Sequence, residues 1–156
     1  MKRDVKLYNL IFPTWIIFFV PSVLWLLILP GNFAIDSLVL LLALRHYGIP
    51  NKLQIWKHAI LRIWLFGFLA DFLGAGLNFP IYMICSSMFD AVHFPGAQLV
   101  SLPGIAFAGL LINLFNQCFA FKNCGLEEAQ IRKLSFALAV FTAPYTMLCP
   151  LEWISF

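Results

Sequence analysis

A chain of 156 residues that is 62% hydrophobic, 11% charged and carries a formal net charge of +3 lacks the polar surface to wrap a core in water. Soluble domains carry about 45–50% apolar and about 25% charged residues. Disorder, a secreted disulfide knot and a free nucleic-acid-binding domain are excluded too, the last because ten Lys and Arg scattered over four short stretches build no basic face.

What remains is an all-α, polytopic transmembrane helical bundle, with residues 1–156 read as a single integral membrane domain. A bilayer core about 30 Å thick takes about 20 helical residues, and apolar runs of that order divide the chain. Residues 7–44 hold no basic residue and as one helix would reach about 57 Å, nearly twice the membrane. The chain is therefore expected to turn back at Pro30-Gly31-Asn32, with Asn32 capping the returning helix. Span one then covers about 7–29, with Pro13 in its first turn and Pro21 bending it, and a short span two covers about 33–44.

The polar stretch from Gly48 to His58 reads as a connection. Span three follows at about 59–80, extending to 89 if Pro80 only kinks it. Span four is expected at 99–121 and span five at 134–149, the latter kinked at Pro144.

Charge placement is an independent test of five spans. With that number, Lys2, Arg3, Lys6, Arg45, Lys52, Lys57, Arg62, Lys122, Arg132 and Lys133 all fall on one side. Basic residues mark the cytoplasmic side of short loops, so the N-terminus is expected inside and the C-terminus outside, in a plasma or cytoplasmic membrane. The opposite side receives a loop with Asp90 and His93 and a tail with Glu152. Tyr8, Tyr47 and Trp56 fall at the inner boundary and Trp25, Tyr82, Tyr145 and Trp153 near the outer one, whereas Trp15 and Trp64 can equally fill space between helices. The basic stretch Arg45 to Arg62 is expected to lie on anionic headgroups.

Ionisable groups inside hydrocarbon cost about 2.5–3.5 kcal/mol each on insertion scales, so each needs a partner or a use. Asp71 lies nine residues past Arg62, about 13 Å along span three and near the midplane. Gly67, Asp71, Gly74 and Asn78 recur at helical spacing and share a stripe that should face protein or water. Span four offers a matching stripe of Gly109, Asn113, Asn116 and Gln117, with Asn113 nine residues from Lys122. Asp71 and Asn113 are therefore expected to be neighbours. Asp36, four residues past Asn32, would lie about 6 Å below the outer surface, where a helix N-terminus and nearby water accommodate it. Were the two acids to converge instead, they would form a paired-carboxylate site able to share a proton or hold a cation. Ser135, Ala139, Thr142 and Thr146 form a third stripe, on span five.

The histidines show no HExxH spacing and the cysteines no CxxC, so no metal or cofactor is expected. Cys118 and Cys124 fall near the inner side, and Cys85 and Cys149 near the outer, where a disulfide between them is one option. Phosphate-binding and nucleophile motifs are missing and the loops are short, so no catalytic residue is expected. Two functions remain. The favoured one is a non-catalytic accessory or assembly subunit of a membrane complex, associating with itself or another membrane protein through small-residue faces. The alternative is an ion, proton or small-solute transport component built on Asp71.

Overall fold

The computed structural model describes residues 25–88 and 97–148; of residues 27, 86–88, 97 and 98 it describes the backbone alone. All regular structure among the described residues is helical: α1 (Trp25–His46), α2 (Lys52–Met88), a 3₁₀ turn (Ala97–Ser101), α3 (Leu102–Phe115), a π-helical turn (Asn116–Ala120), α4 (Glu128–Thr142) and a closing 3₁₀ turn (Tyr145–Leu148). Three segments are long and apolar enough to cross a membrane: Ile28–His46, Lys52–Cys85 and Leu99–Ala120.

The expected turn at Pro30-Gly31-Asn32 does not form. All three residues lie inside α1, whose 22 residues make about 33 Å, one bilayer thickness. Pro30 frees the carbonyl four residues back, that of Leu26, and tertiary contacts hold this stretch of helix against its neighbour. Here the indole of Trp64 on α2 donates to the carbonyl of Leu29, beside Pro30, at 3.0 Å, and Phe33 and Phe68 pack edge-on against Trp64 and Trp25. The helix expected to begin at Phe33 is thus already formed at Trp25, where the described residues begin. The rest of span one, with Pro13 and Pro21, lies outside the described residues, as do Tyr8 and Trp15.

The first connection is shorter than the polar stretch suggested. Gly48 adopts a left-handed conformation (φ 64°), which lets the Ile49 N–H reach back to the Leu44 carbonyl at 3.0 Å and close the helix. Helix α2 then begins at Lys52, seven residues before the expected Ala59. Ile55, Ala59, Ile60 and Ile63 recur at helical spacing and are buried, so an apolar stripe carries the helix through its charged first turns. It continues through Pro80 for 37 residues in all.

Span four agrees with expectation, as the 3₁₀ turn, α3 and the π-turn run through it without a break. Span five does not. Helix α4 starts at Glu128, where Glu127 and Gln130 form a capping box, the Glu127 N–H donating to Gln130 at 3.1 Å. It ends at Thr142, because Ala143 precedes Pro144 and takes an extended conformation (ψ 149°). Pro144 stops the helix instead of kinking it, and its 15 residues make only about 22 Å.

The helices pack up and down. Arg62 near the start of α2 donates to the Lys122 carbonyl beyond the π-turn at 3.1 Å, and the Lys133 ammonium near the start of α4 lies 5.8 Å from the Tyr47 ring centre at the end of α1. All seven Lys and Arg of the described residues thereby gather at one end. Inside, Leu40, Leu44, Ile63, Ile112, Leu134 and Leu138 form the main core, and Ala75, Ile105 and Met147 a second cluster towards the other end. Outside, large apolar side chains such as Leu38, Leu65, Leu110 and Phe141 stay exposed, as they would in a lipid solvent.

Helices α2 and α3 approach most closely at glycine. A Cβ on Gly74 would stand 2.6 Å from the Gly104 carbonyl oxygen and 2.9 Å from the Ala108 Cβ, while one on Gly76 would meet nothing within 4 Å. Gly74→Ala is therefore expected to lose about 1–3 kcal/mol to overpacking and Gly76→Ala to lose no comparable amount, as read by thermal unfolding in detergent. Equal stability of the two variants would contradict this packing.

Candidate functional site

With α1 unbroken through Pro30, Asp36 stands well inside its helix, ten residues before His46, and not in a first turn. There it meets Asp71, which sits near the middle of α2. The two side chains are 6% and 4% exposed. A Cβ on Gly67 would stand 3.7 Å from Asp36 Oδ2, and Asp71 follows Gly67 by one helical turn, about 6 Å. The carboxylates act on each other electrostatically, and Asp36 also hydrogen-bonds the Thr142 hydroxyl at the end of α4. Three helices thus supply one polar centre, at the boundary between the two apolar clusters: Ala70 belongs to one and Ala75 to the other.

This centre is sparsely satisfied. Asp71 Oδ1 is buried without a hydrogen-bond partner. Arg132 and Glu128, exposed on α4, form the one ion pair among the described residues, so none of the described basic side chains pairs with either aspartate. Thr142 Oγ1 also lies 2.8 Å from the Leu138 carbonyl, to which it can only donate. A hydroxyl with one proton can donate to Leu138 while accepting from a carboxylic acid, or turn and donate to a carboxylate. Thr142 can therefore follow the protonation of Asp36 by rotating a single bond.

The other expected site residues divide. Asn113 takes its hydrogen bond within its own helix and not from Asp71: its amide oxygen accepts from Gln117 at 2.9 Å along α3. The reason is rotational. Gly104 and Ala108 face Gly74 on α2, while Gly109 faces Ala139 and Ala143 on α4, so the Gly109 to Gln117 stripe lines the α3–α4 seam. Asn116 lies in that seam, 1% exposed, with neither amide atom hydrogen-bonded. Asn78 is fully buried but structural. Its Oδ1 accepts from the Gly104 N–H at 3.0 Å, and its Nδ2 approaches the Ser101 carbonyl and the Met147 sulfur. Ser101 itself makes no side-chain cap, so Asn78 caps the start of α3 from the neighbouring helix, and the missing side chain of Gly104 makes room for it.

Thr142 and Ser135 belong to the centre and its surroundings although neither stood among the expected site residues; their shared stripe was the available signal. A second concavity of about 390 Å³ opens at the basic end, lined among others by His58, Asn123, Cys124, Glu127 and Gln130. It holds no activated thiol: burial pushes Cys124 above its ordinary range, outweighing Arg62, and the His58 ring is within hydrogen-bonding distance of the Gln54 carbonyl at 2.8 Å. Cys85, Cys118 and Cys124 are free; Cys149, Asp90, His93, Glu152 and Trp153 lie outside the described residues. No group of three or more His, Cys, Asp or Glu gathers as metal ligands among the described residues.

Compared with protein-family models, with curated proteins and with solved structures, the chain matches none.

The cap supplied by Asn78 gives a direct test of this division. Asn78→Leu keeps the volume but leaves the Gly104 N–H buried and unpaired, so unfolding in detergent is expected to show a loss of about 1–3 kcal/mol.

Proposed function

We propose that the chain is a multi-pass membrane protein acting as a proton or hard-cation transport component, with Asp36 and Asp71 as its ion-responsive pair. The observation that carries this reading is the meeting of two carboxylates from different helices in the middle of the bundle, with one oxygen left unpartnered. Two acids carried into hydrocarbon cost about 2.5–3.5 kcal/mol each before compensation. Leucines would pack the same space without that penalty. Oxygen ligands alone suit a proton or a hard cation and not a soft transition metal.

The assembly-subunit reading is weakened by how the small residues are used. Gly67 lies against α1, Gly74 against α3 and Gly109 against α4, so the faces that would recruit another membrane protein are spent inside the chain. Transport remains compatible with a homo-oligomer or a partner.

The expected orientation places the basic end in the cytoplasm, against anionic headgroups, by the positive-inside rule. With Asn123→Cys at the exposed tip of the connection before α4, in a chain whose native cysteines are replaced, a membrane-impermeant thiol reagent is expected to label only inside-out vesicles. Labelling of intact cells would reverse the orientation.

The test of function is flux. In proteoliposomes under a pH or cation gradient, Asp36→Asn and Asp71→Asn are each expected to lower proton or cation uptake at least ~10-fold, equivalent to about 1.4 kcal/mol in a barrier, with helicity retained. Wild-type rates in both variants, or no uptake by the wild type above empty vesicles for protons, sodium or potassium, would remove the proposal.

A further inference from the structure

Between the aspartate pair and the basic end, the α3–α4 seam holds polar groups that no side chain or backbone group among the described residues satisfies. Asn116 leaves both its amide nitrogen and its amide oxygen unpaired, and Ser135 Oγ, on a residue 0% exposed, is unpaired as well. Each such buried group costs about 1–3 kcal/mol if left bare, so three together would rival a domain's whole stability of about 5–15 kcal/mol. Small polar molecules in the seam are the available remedy, because buried water satisfies such groups where a polar gap exists.

Helical geometry brings these groups to one place. Gly109 marks the level, since its Cβ would lie 3.6 Å from the Ala139 carbonyl oxygen and 4.0 Å from the Ala143 Cβ. Asn116 lies two turns further along that face, about 10 Å down, and Ser135 about 6–12 Å down α4 from Ala139 and Ala143. They share a level yet make no hydrogen bond to each other. The π-turn begins at Asn116, whose carbonyl accepts from the Phe121 N–H five residues on at 3.2 Å, and such turns recur at functional sites.

The seam also leads somewhere in both directions. Two turns above Ser135 on the same stripe stands Thr142, which bonds Asp36, and the wall between is narrow because Gly109 and Ala139 face each other there. Five residues below Ser135, about 7.5 Å along α4 and on the adjoining face that it shares with Leu134, Gln130 lines the open concavity of the basic end together with Asn123 and Cys124.

We infer that the α3–α4 seam holds ordered water and is the route by which protons pass between the basic-end concavity and the Asp36–Asp71 pair, with Asn116 and Ser135 as its hydrogen-bonding station. A proton entering the water chain at one end releases another at the other end, so no co-reactant is consumed. This route rests on the aspartate pair being the protonated group of the transport reading.

Infrared spectroscopy of the whole protein in proteoliposomes tests it without measuring flux. The carboxylic-acid stretch of the pair, assigned through Asp36→Asn and Asp71→Asn, shifts when the surrounding H₂O is replaced by D₂O. Asn116→Leu and Ser135→Ala are expected to slow that shift at least ~10-fold while leaving the band in place, and Ser135→Thr, which keeps a hydroxyl, to exchange near the wild-type rate. Wild-type exchange in Ser135→Ala and Asn116→Leu would overturn the route. Should Asn116→Leu fail to fold, the contrast between Ser135→Ala and Ser135→Thr decides alone. Failure of the transport reading is distinguishable: flux then ignores both aspartate variants, while the exchange rate still depends on the seam residues or does not.

Discussion

Two carboxyl groups cannot be carried into an apolar bundle unless the helices around them are arranged for it, and much of this fold follows from that constraint. A residue without a side chain, Gly67, stands where Asp36 crosses α2. Helix α4 stops where its last residue, Thr142, can offer a hydroxyl to the same carboxyl. The two apolar clusters lie on either side, so the acids occupy the gap between cores and displace little packed hydrocarbon from either. The helix-to-helix contacts that hold this arrangement are then made by small residues and aromatic rings: Gly74 on Gly104 and Ala108, and Phe66 stacked on Phe119 at 5.3 Å. Close van der Waals packing of this kind is what remains to join helices when lipid is as apolar as their surfaces.

The helical, lipid-soluble character of the chain was legible from composition, and the fourth expected span coincides with the structure almost residue for residue. The burial of Asp71, which stands on α2 nine residues past Arg62, agrees with a stripe that faces protein. What hid the site was one inference about Pro30. In water, Pro-Gly-Asn ends helices because solvent takes over the freed backbone groups. In an apolar surround no such substitute exists, and the contact that anchors this stretch, the Trp64 indole on the Leu29 carbonyl, comes from thirty-five positions away in sequence where no local rule looks for it. A turn there shortens the helix and puts Asp36 near its start, which leaves the convergence of the two acids as an open option instead of an expectation.

Rotation about a helix axis was the second thing the sequence withheld. Helical spacing groups residues into stripes, as on α2 and α3, and loses Thr146 where α4 ends at Thr142, yet a stripe does not say which neighbour it faces. Gly109 and Asn116 look towards α4, whereas Gly74 and Asp71 look inward from α2, and only the relative rotation of α3, set by Gly104 and Ala108 against Gly74, separates the two arrangements. Asn78 shows the same limit in reverse: as an amide on the Asp71 stripe it resembled a site residue, but its partner is the backbone of α3.

The shortness of α4 has an electrical consequence. Its 15 residues fall about 8 Å short of a 30 Å hydrocarbon layer, and neighbouring lipid answers such a mismatch by thinning. The helix ends at the residue that touches Asp36, so in a bilayer the insulating layer would be thinnest over the acid pair on the side away from the basic end. A membrane potential would then drop over less distance there, and steepen. Since a unit charge moved across 100 mV exchanges about 2.3 kcal/mol, loading of the pair from the basic end, as the transport proposal has it, would be a voltage-sensitive event with a sensitivity governed by how far α4 reaches.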